Sequence, residues 1–426
     1  MNTTEEMTHY IRPEQLCVGL YIHLDLSWMD HPFTFSSFKI QNENQIATLR
    51  RLGLEKIRYS PVKSDQAPGP APATERVETT TTPAMESIPA DQTACEAKRA
   101  RMQQLKAQRV AIEKCEKDFL SAAQTVRGLD RAIFSRPRES AAAGARLIGR
   151  MTDSLLTDRD IAIHLMNDRA GGCDVYHHAL NVAVLALMLG KELKLSREEI
   201  STLGQAALFH DVGLCEIPDR ILLKTEALTR AEQSLFEQHC EWSVEACRKA
   251  GLSRDVLTLI GQHHEQCDGS GYPQKLRQQD IHPLARTLAL VDQFDTLCNG
   301  LQHGIAYTPH EALALMFSQL RNKFDSLPLN TFIRCMGVYP PGSLVMLSND
   351  AYALVVSVNS SRPLKPQVLV HIPGMPPEET PLIDLEQEAD LNISKSLKPG
   401  QLPHEALECL NPRKRTTYFF APKEDD

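Results

Sequence analysis

The chain has 426 residues, 42% of them hydrophobic and 23% charged, with a formal net charge of −8. At ~150 residues per domain this predicts two or three globular domains and excludes a wholly disordered or fibrous chain. The acidic balance argues against a nucleic-acid surface. It leaves room for a small anionic ligand wherever a bound cation supplies positive charge locally.

The longest apolar run, Val182 to Leu189, is far shorter than the ~20 residues of a membrane span. The polar start MNTTEEMTHY has no signal-peptide character. The 11 cysteines include no CxxC pair, which reads as reduced structural thiols in a cytoplasmic protein, not a zinc ribbon.

In chain order, residues 9–62 read as a small α+β module, with strands at 17–24 and 56–60 around a short helix at 42–52. Residues 64–93 carry prolines at 68, 70, 72, 83 and 89 and the run Thr79 to Thr82, the composition of a disordered linker. From 94 to 138 the chain reads as a connector helix. Met102, Leu105, Ile112, Phe119 and Val126 fall near heptad spacing, which suggests either a homodimer seam along 94–127 or a solvated connector.

Residues 139–325 read as a helical domain, with 3.6-residue periodicity over 175–193, 199–210, 231–249, 254–264, 284–298 and 310–320. Beyond Phe324 the period changes to 2. Strands are expected at 343–347, 351–358 and 367–372 in a β-rich C-terminal segment, 326–415, with a frayed end.

Histidine carries the chemical signal. His178, Val182, Leu185 and Leu189 run down one helical face, and His210 ends a second apolar stripe through Leu203 and Ala206. His177 aligns instead with Asn181 and reads as an outer residue. Asp211 follows His210, His239 sits within a helical pattern, His263 and His264 are adjacent, and Asp292 lies in an apolar helix. Buried imidazoles and carboxylates aimed at a common core are costly unless they share protons or a cation. A mixed His/Asp set without thiolate suits Fe or Mn. Two such ions ~3.5–4 Å apart activate water and clamp a phosphate.

These residues resemble the HD-GYP domains, a bacterial signalling branch of the HD-superfamily metal-dependent phosphohydrolases. The resemblance runs through His178 to Ala183, Phe209 to Gly213, Ile217 to Lys224, the His239 helix, His263-His264-Glu265, Asp268 to Pro273 and Ala285 to Asp295. Residues 9–62, through the stretch Arg12 to Ile22, resemble the small N-terminal domain that often precedes HD-GYP. The resemblance implies a mainly helical metal-dependent core that hydrolyses cyclic di-GMP to pGpG or GMP through a metal-activated bridging water.

Carried over residue by residue, the metal ligands are His178, His210, Asp211, His239, His263, His264 and Asp292. Asp174, one turn before His178, is a candidate ligand for a third ion. His210 and Asp211 are the catalytic pair, and Lys224 and Arg286 are candidate substrate contacts. Asp268, Gly269, Gly271, Tyr272 and Pro273 form the GYP loop, a glycine turn that the resemblance also links to docking of GGDEF-domain partners.

Two positions depart from the pattern. Leu214 stands where the family has a phosphate-binding Lys, and 301–304 replaces a basic stretch. An intact metal set beside an altered substrate grip leaves three readings. They are a cyclic di-GMP phosphodiesterase, an inactive receptor or interaction protein, and a phosphohydrolase of a different nucleotide.

Overall fold

The computed structural model describes residues 9–26, 31, 33, 37–69, 117–129, 132–157, 163–165, 174–224, 226–299, 306–358, 364–373, 375, 380–388, 391–410 and 418–420. The expected linker beyond residue 69, the connector helix before 117, the 301–304 stretch and the frayed end all lie outside them. The chain forms two compact units, 1–106 and 107–426.

In the first unit, β1 (His9–Ile11), β2 (Tyr21–His23), β3 (Ser37–Lys39) and β4 (Ile57–Ser60) form an antiparallel sheet in the order β1-β4-β2-β3. Helix α1 (Glu43–Arg51) packs its Ile46 and Leu49 into the core with Leu20, Ile22, Ile40 and Ile57. Its start is set by the Asn42 side chain, which accepts from the Gln45 amide at 3.0 Å.

The second unit is built around a helix buried on all sides. Before it come α2 (117–129), α3 (Pro137–Thr157) and β5 (Ile163–Leu165). The central helix is α4 (Asp174–Glu192); every residue from 177 to 190 is buried, as expected of a helix apolar all round. Then follow α5 (Arg197–Phe209), α6 (Asp219–Leu222), α7 (Arg230–Glu237), α8 (His239–Ala250), α9 (Arg254–Gln262), α10 (Pro283–Asn299), α11 (Pro309–Ser318) and α12 (Ser326–Met336).

The helix expected over 231–249 is two helices. The chain turns at Gln238, so His239 opens α8 instead of sitting mid-helix. Helix α12 precedes the strands, because Leu329, Phe332 and Met336 keep helical spacing behind the Asp325 cap. His177, expected outside, is buried with its ring 5.8 Å from that of Phe119; α2 covers the face that α4 alone would expose.

The C-terminal strands are β6 (Leu344–Leu347), β7 (Tyr352–Val358), β8 (Gln367–Val370), β9 (Leu382–Asp384), β10 (Ile393–Leu397) and, after α13 (His404–Leu410), β11 (Tyr418–Phe420). The path of the sheet is β10-β6-β7-β5-β11, with β8 and β9 branching from β7. Strand β5, which interrupts the helical block, pairs with both β7 and β11. The sheet and the helices therefore share one hydrophobic core, in which Tyr418 and Phe419 lie beside Leu180 and Phe294.

Candidate metal centre

Local structure aims the histidines inward. His178 points from the buried face of α4. His210 ends α5, and Asp211 opens the short 3-10 turn Val212–Glu216. That turn lies hard against α8: a Cβ on Gly213 would come within 2.3 Å of the His239 carbonyl oxygen and 2.7 Å of the Ser243 amide. The Gly213 amide donates to Ser243 Oγ at 2.8 Å. Only glycine lets the turn carrying Asp211 reach the start of α8.

The ligand atoms fall into two groups, each with all its atoms within 4.8 Å of one another: Asp211, His239, His263 and His264, and His178, His210 and Asp292. Asp211 joins them. Its Oδ1 lies 3.4 Å from His239 Nε2 and 3.5 Å from His263 Nε2. Its Oδ2 lies 3.4 Å from His210 Nε2 and 3.6 Å from His178 Nε2. Asp292 also straddles, with Oδ1 3.1 Å from His178 Nε2 and Oδ2 3.4 Å from His264 Nδ1.

The imidazoles are fixed from behind. Nδ1 of His210 donates to the Ala207 carbonyl at 2.8 Å, that of His239 to Phe236 at 2.6 Å and that of His263 to Ile260 at 2.5 Å. His178 Nδ1 donates to Asp295 Oδ2 at 2.7 Å. Each turns Nε2 toward the cluster.

Burial alone would lower the His178 imidazole, but Asp292 and Asp295 override it and hold it up to about 9. Burial likewise opposes His239, and Asp211 brings it up to about 10. Burial would raise Asp211, yet the imidazoles of His210, His239 and His263 hold it well below the usual carboxylate range. His264 is pushed well down by burial and by the neighbouring His263.

The donor set fits divalent cations. Asp211 Oδ1 and His263 Nε2 are buried and make no hydrogen bond, an expensive state that a cation would relieve. Oxygen and imidazole donors without an obligatory thiolate suit a borderline metal. Buried Cys240 places Sγ 3.6 Å from His239 Nε2.

The remaining expected residues take these places. Asp174 opens α4, and its side chain lies outside the described residues. Lys224 is held by Glu232 at 2.5 Å and Arg286 by Asp325 at 2.6 Å. Leu214 is half-buried in the turn after Asp211.

In the GYP loop, Asp268 Oδ1 accepts from the Ser270 amide at 2.9 Å, and Gly269 takes φ +81°. A Cβ on Gly271 would meet the Gln266 amide at 2.4 Å. Tyr272 leans on His264. Buried Glu265, named in the sequence motif but given no role there, accepts from the Gln274 and Leu276 amides at 2.6 and 2.8 Å and anchors the loop. Asp295 and Asn181 were likewise given no role. Their signal was spacing: each lies one helical turn from a ligand, Asp292 and His178.

Residues 150–327 match the HD domain model, residues 9–143 a domain of unknown function (DUF3391) and residues 344–405 the KOW domain associated with HD domain. A cyclic di-GMP phosphodiesterase of Pseudomonas aeruginosa is 26% identical over 368 residues, covering 84% of this chain and 83% of its own. The cyclic di-GMP phosphodiesterase response regulator RpfG of Xanthomonas campestris is 31% identical over 195 residues, 44% of this chain and 51% of its own. A 3'3'-cGAMP-specific phosphodiesterase of Vibrio cholerae is 34% identical over 157 residues, 35% of this chain and 29% of its own. The chain thus spans about half or less of the latter two relatives.

Proposed function

From the membership of this chain in the HD-GYP branch of the HD-domain proteins, we propose that it hydrolyses cyclic di-GMP to pGpG or GMP at the His/Asp centre. The observation that carries this reading is Asp211, whose two oxygens face different imidazole pairs across a shared, buried cluster. His178, His210 and Asp292 would hold one cation, and His239, His263 and His264 a second, with Asp211 between them. Fe and Mn suit these donors, and Asp174 is the candidate for a third ion. When bound, such cations neutralise phosphate oxygens and acidify a water.

The chain's own contribution is orientation. The Nδ1 bonds of His178, His210, His239 and His263 fix ring tautomer and angle before ligand arrives. Asp211 stays ionised, and the apolar packing around α4 and α10 keeps bulk water from the ligands' rear faces. Lys224 and Arg286 reach a substrate phosphate only by leaving Glu232 and Asp325.

The relatives named for cyclic di-GMP support the substrate, and the relative named for 3'3'-cGAMP makes that dinucleotide the first competitor to test. The cysteine usage supports a cytoplasmic enzyme, and no helix among the described residues is long and apolar enough to cross a membrane. A GGDEF-domain partner would meet the exposed edge of the GYP loop, Asp268 to Ser270. Of the heptad positions proposed for a homodimer seam along 94–127, Phe119 and Val126 are buried in this chain's own core. Leu214, with Lys224 and Arg286 already paired, favours the second reading, an inactive receptor that retains metal.

Product formation decides between them. Anaerobically purified full chain, supplied with Fe²⁺ or Mn²⁺, is expected to yield pGpG or GMP from cyclic di-GMP, and chelator should abolish it. No product from folded, metal-loaded protein would overturn the phosphodiesterase reading in favour of the receptor. Faster turnover of 3'3'-cGAMP would overturn the substrate assignment alone.

A further inference from the structure

Asp295 is a fully buried carboxylate, and a buried charge persists only when its lone pairs are filled. Three donors fill them: His178 Nδ1 at 2.7 Å, Asn181 Nδ2 at 2.8 Å and Asn299 Nδ2 at 3.0 Å. Asn181 is itself fully buried, and its other end is engaged by a residue 237 positions away: Oδ1 accepts from the Tyr418 backbone amide at 2.8 Å.

An amide side chain has one accepting and one donating end, and a backbone N–H can only donate. Strand β11 therefore fixes which way Asn181 faces. With Oδ1 turned to Tyr418, the Nδ2 donor is delivered to Asp295; the flipped amide would set two oxygens together at Asp295 and two donors together at Tyr418. Asp295 in turn accepts from His178 Nδ1, which turns Nε2 toward Asp292 and His210.

The Tyr418 ring reinforces the link. It stacks at 23° and 6.2 Å on Phe294, the residue just before Asp295 in α10. Its hydroxyl donates to the Pro341 carbonyl at 3.3 Å, and β11 is paired through β5 to the C-terminal sheet.

We infer that the C-terminal strand is a positioning element of the metal centre, acting through Tyr418, Asn181 and Asp295 on His178, and that it serves the His178/His210/Asp292 group selectively. The other group has no such link among the described residues: His239 and His263 are pinned by carbonyls of their own local turns. The C-terminal sheet is thus wired to one of two metal positions. This inference rests on the metal-centre reading above.

The test is Co²⁺ titration of the full-length chain, read by visible d–d absorption and by bound metal per chain, with helical content checked by circular dichroism. Wild type is expected to take up two equivalents. Asn181→Leu and Tyr418→Pro, which remove the accepting and the donating atom respectively, should keep one tight equivalent and weaken the other ~10–100-fold, the usual cost of losing a support behind a ligand. Tyr418→Phe keeps both the amide and the ring and should bind like wild type. Wild-type uptake of both equivalents by the folded Asn181→Leu and Tyr418→Pro proteins would overturn the link and leave the metal centre standing. Equal weakening of both equivalents would overturn its selectivity for the His178 group. Failure of the wild type to bind Co²⁺ would overturn the metal-centre reading, and this inference with it.

Discussion

Tyr272 lays its ring against that of His264, with centroids 4.7 Å apart and planes 39° apart. Its amide also donates to the His264 carbonyl at 3.1 Å. The GYP loop is therefore a floor beneath one candidate metal ligand as well as a turn with an exposed edge. Replacing the ring by Tyr272→Ala should weaken metal uptake at the Asp211/His239/His263/His264 group by ~10-fold, while Tyr272→Phe should leave it intact. Metal titration reads this directly, and full uptake by the alanine variant would remove the brace from the account.

The Asp211 carboxylate faces both ligand groups, with an imidazole pair on each oxygen. Asp211→Ala should lower bound metal at both and remove hydrolysis, with little change in far-UV circular dichroism, because its backbone turn is held by Gly213 and Ser243. Turnover at the wild-type rate in this variant would refute the bridging assignment.

Leu214 sits three residues after Asp211 in the same 3-10 turn. A charge-assisted contact to phosphate is worth ~1.5–3 kcal/mol, so Leu214→Lys should raise kcat/KM on cyclic di-GMP by about 10–100-fold. Steady-state kinetics on both cyclic dinucleotides measures it. A flat or falling value means that another missing contact limits the site.

The metal-free centre should be sensitive to alkali. His178 and His239 keep their protons in the fold up to about 9 and about 10, against an ordinary value of 6.5. Their stabilising contribution is complete below the unfolded value and is lost as pH rises through the folded ones. The Tm of chelated protein should therefore fall between about pH 6.5 and 10, and saturating Mn²⁺ should flatten the slope by taking the same lone pairs. A chelated Tm that climbs over that window would contradict the raised imidazoles.

The parts of this fold that local pattern governs were legible. The stripe through His178, Val182, Leu185 and Leu189 predicted a helix aimed at the core. The helices expected at 199–210 and 254–264 stand at Arg197–Phe209 and Arg254–Gln262, and the glycines of the 268–273 turn mark their own boundary. The break at Gln238 was less visible, because residues 231–249 keep a helical composition on both sides of it and Gln238 itself keeps helical backbone angles. His177 read as exposed because its cover, Phe119, comes from another helix.

The sequence by itself determined which residue types the centre holds and that they sit on inward faces, since ligand chemistry and helical period are local properties. Tertiary structure alone decided the grouping. It put the two oxygens of Asp211 against different imidazole pairs, bound Lys224 and Arg286 into ion pairs, and ran the Tyr418 amide to Asn181. Those are distance relationships that reach across as many as 237 positions, and no spacing rule in a chain encodes where its folds will meet.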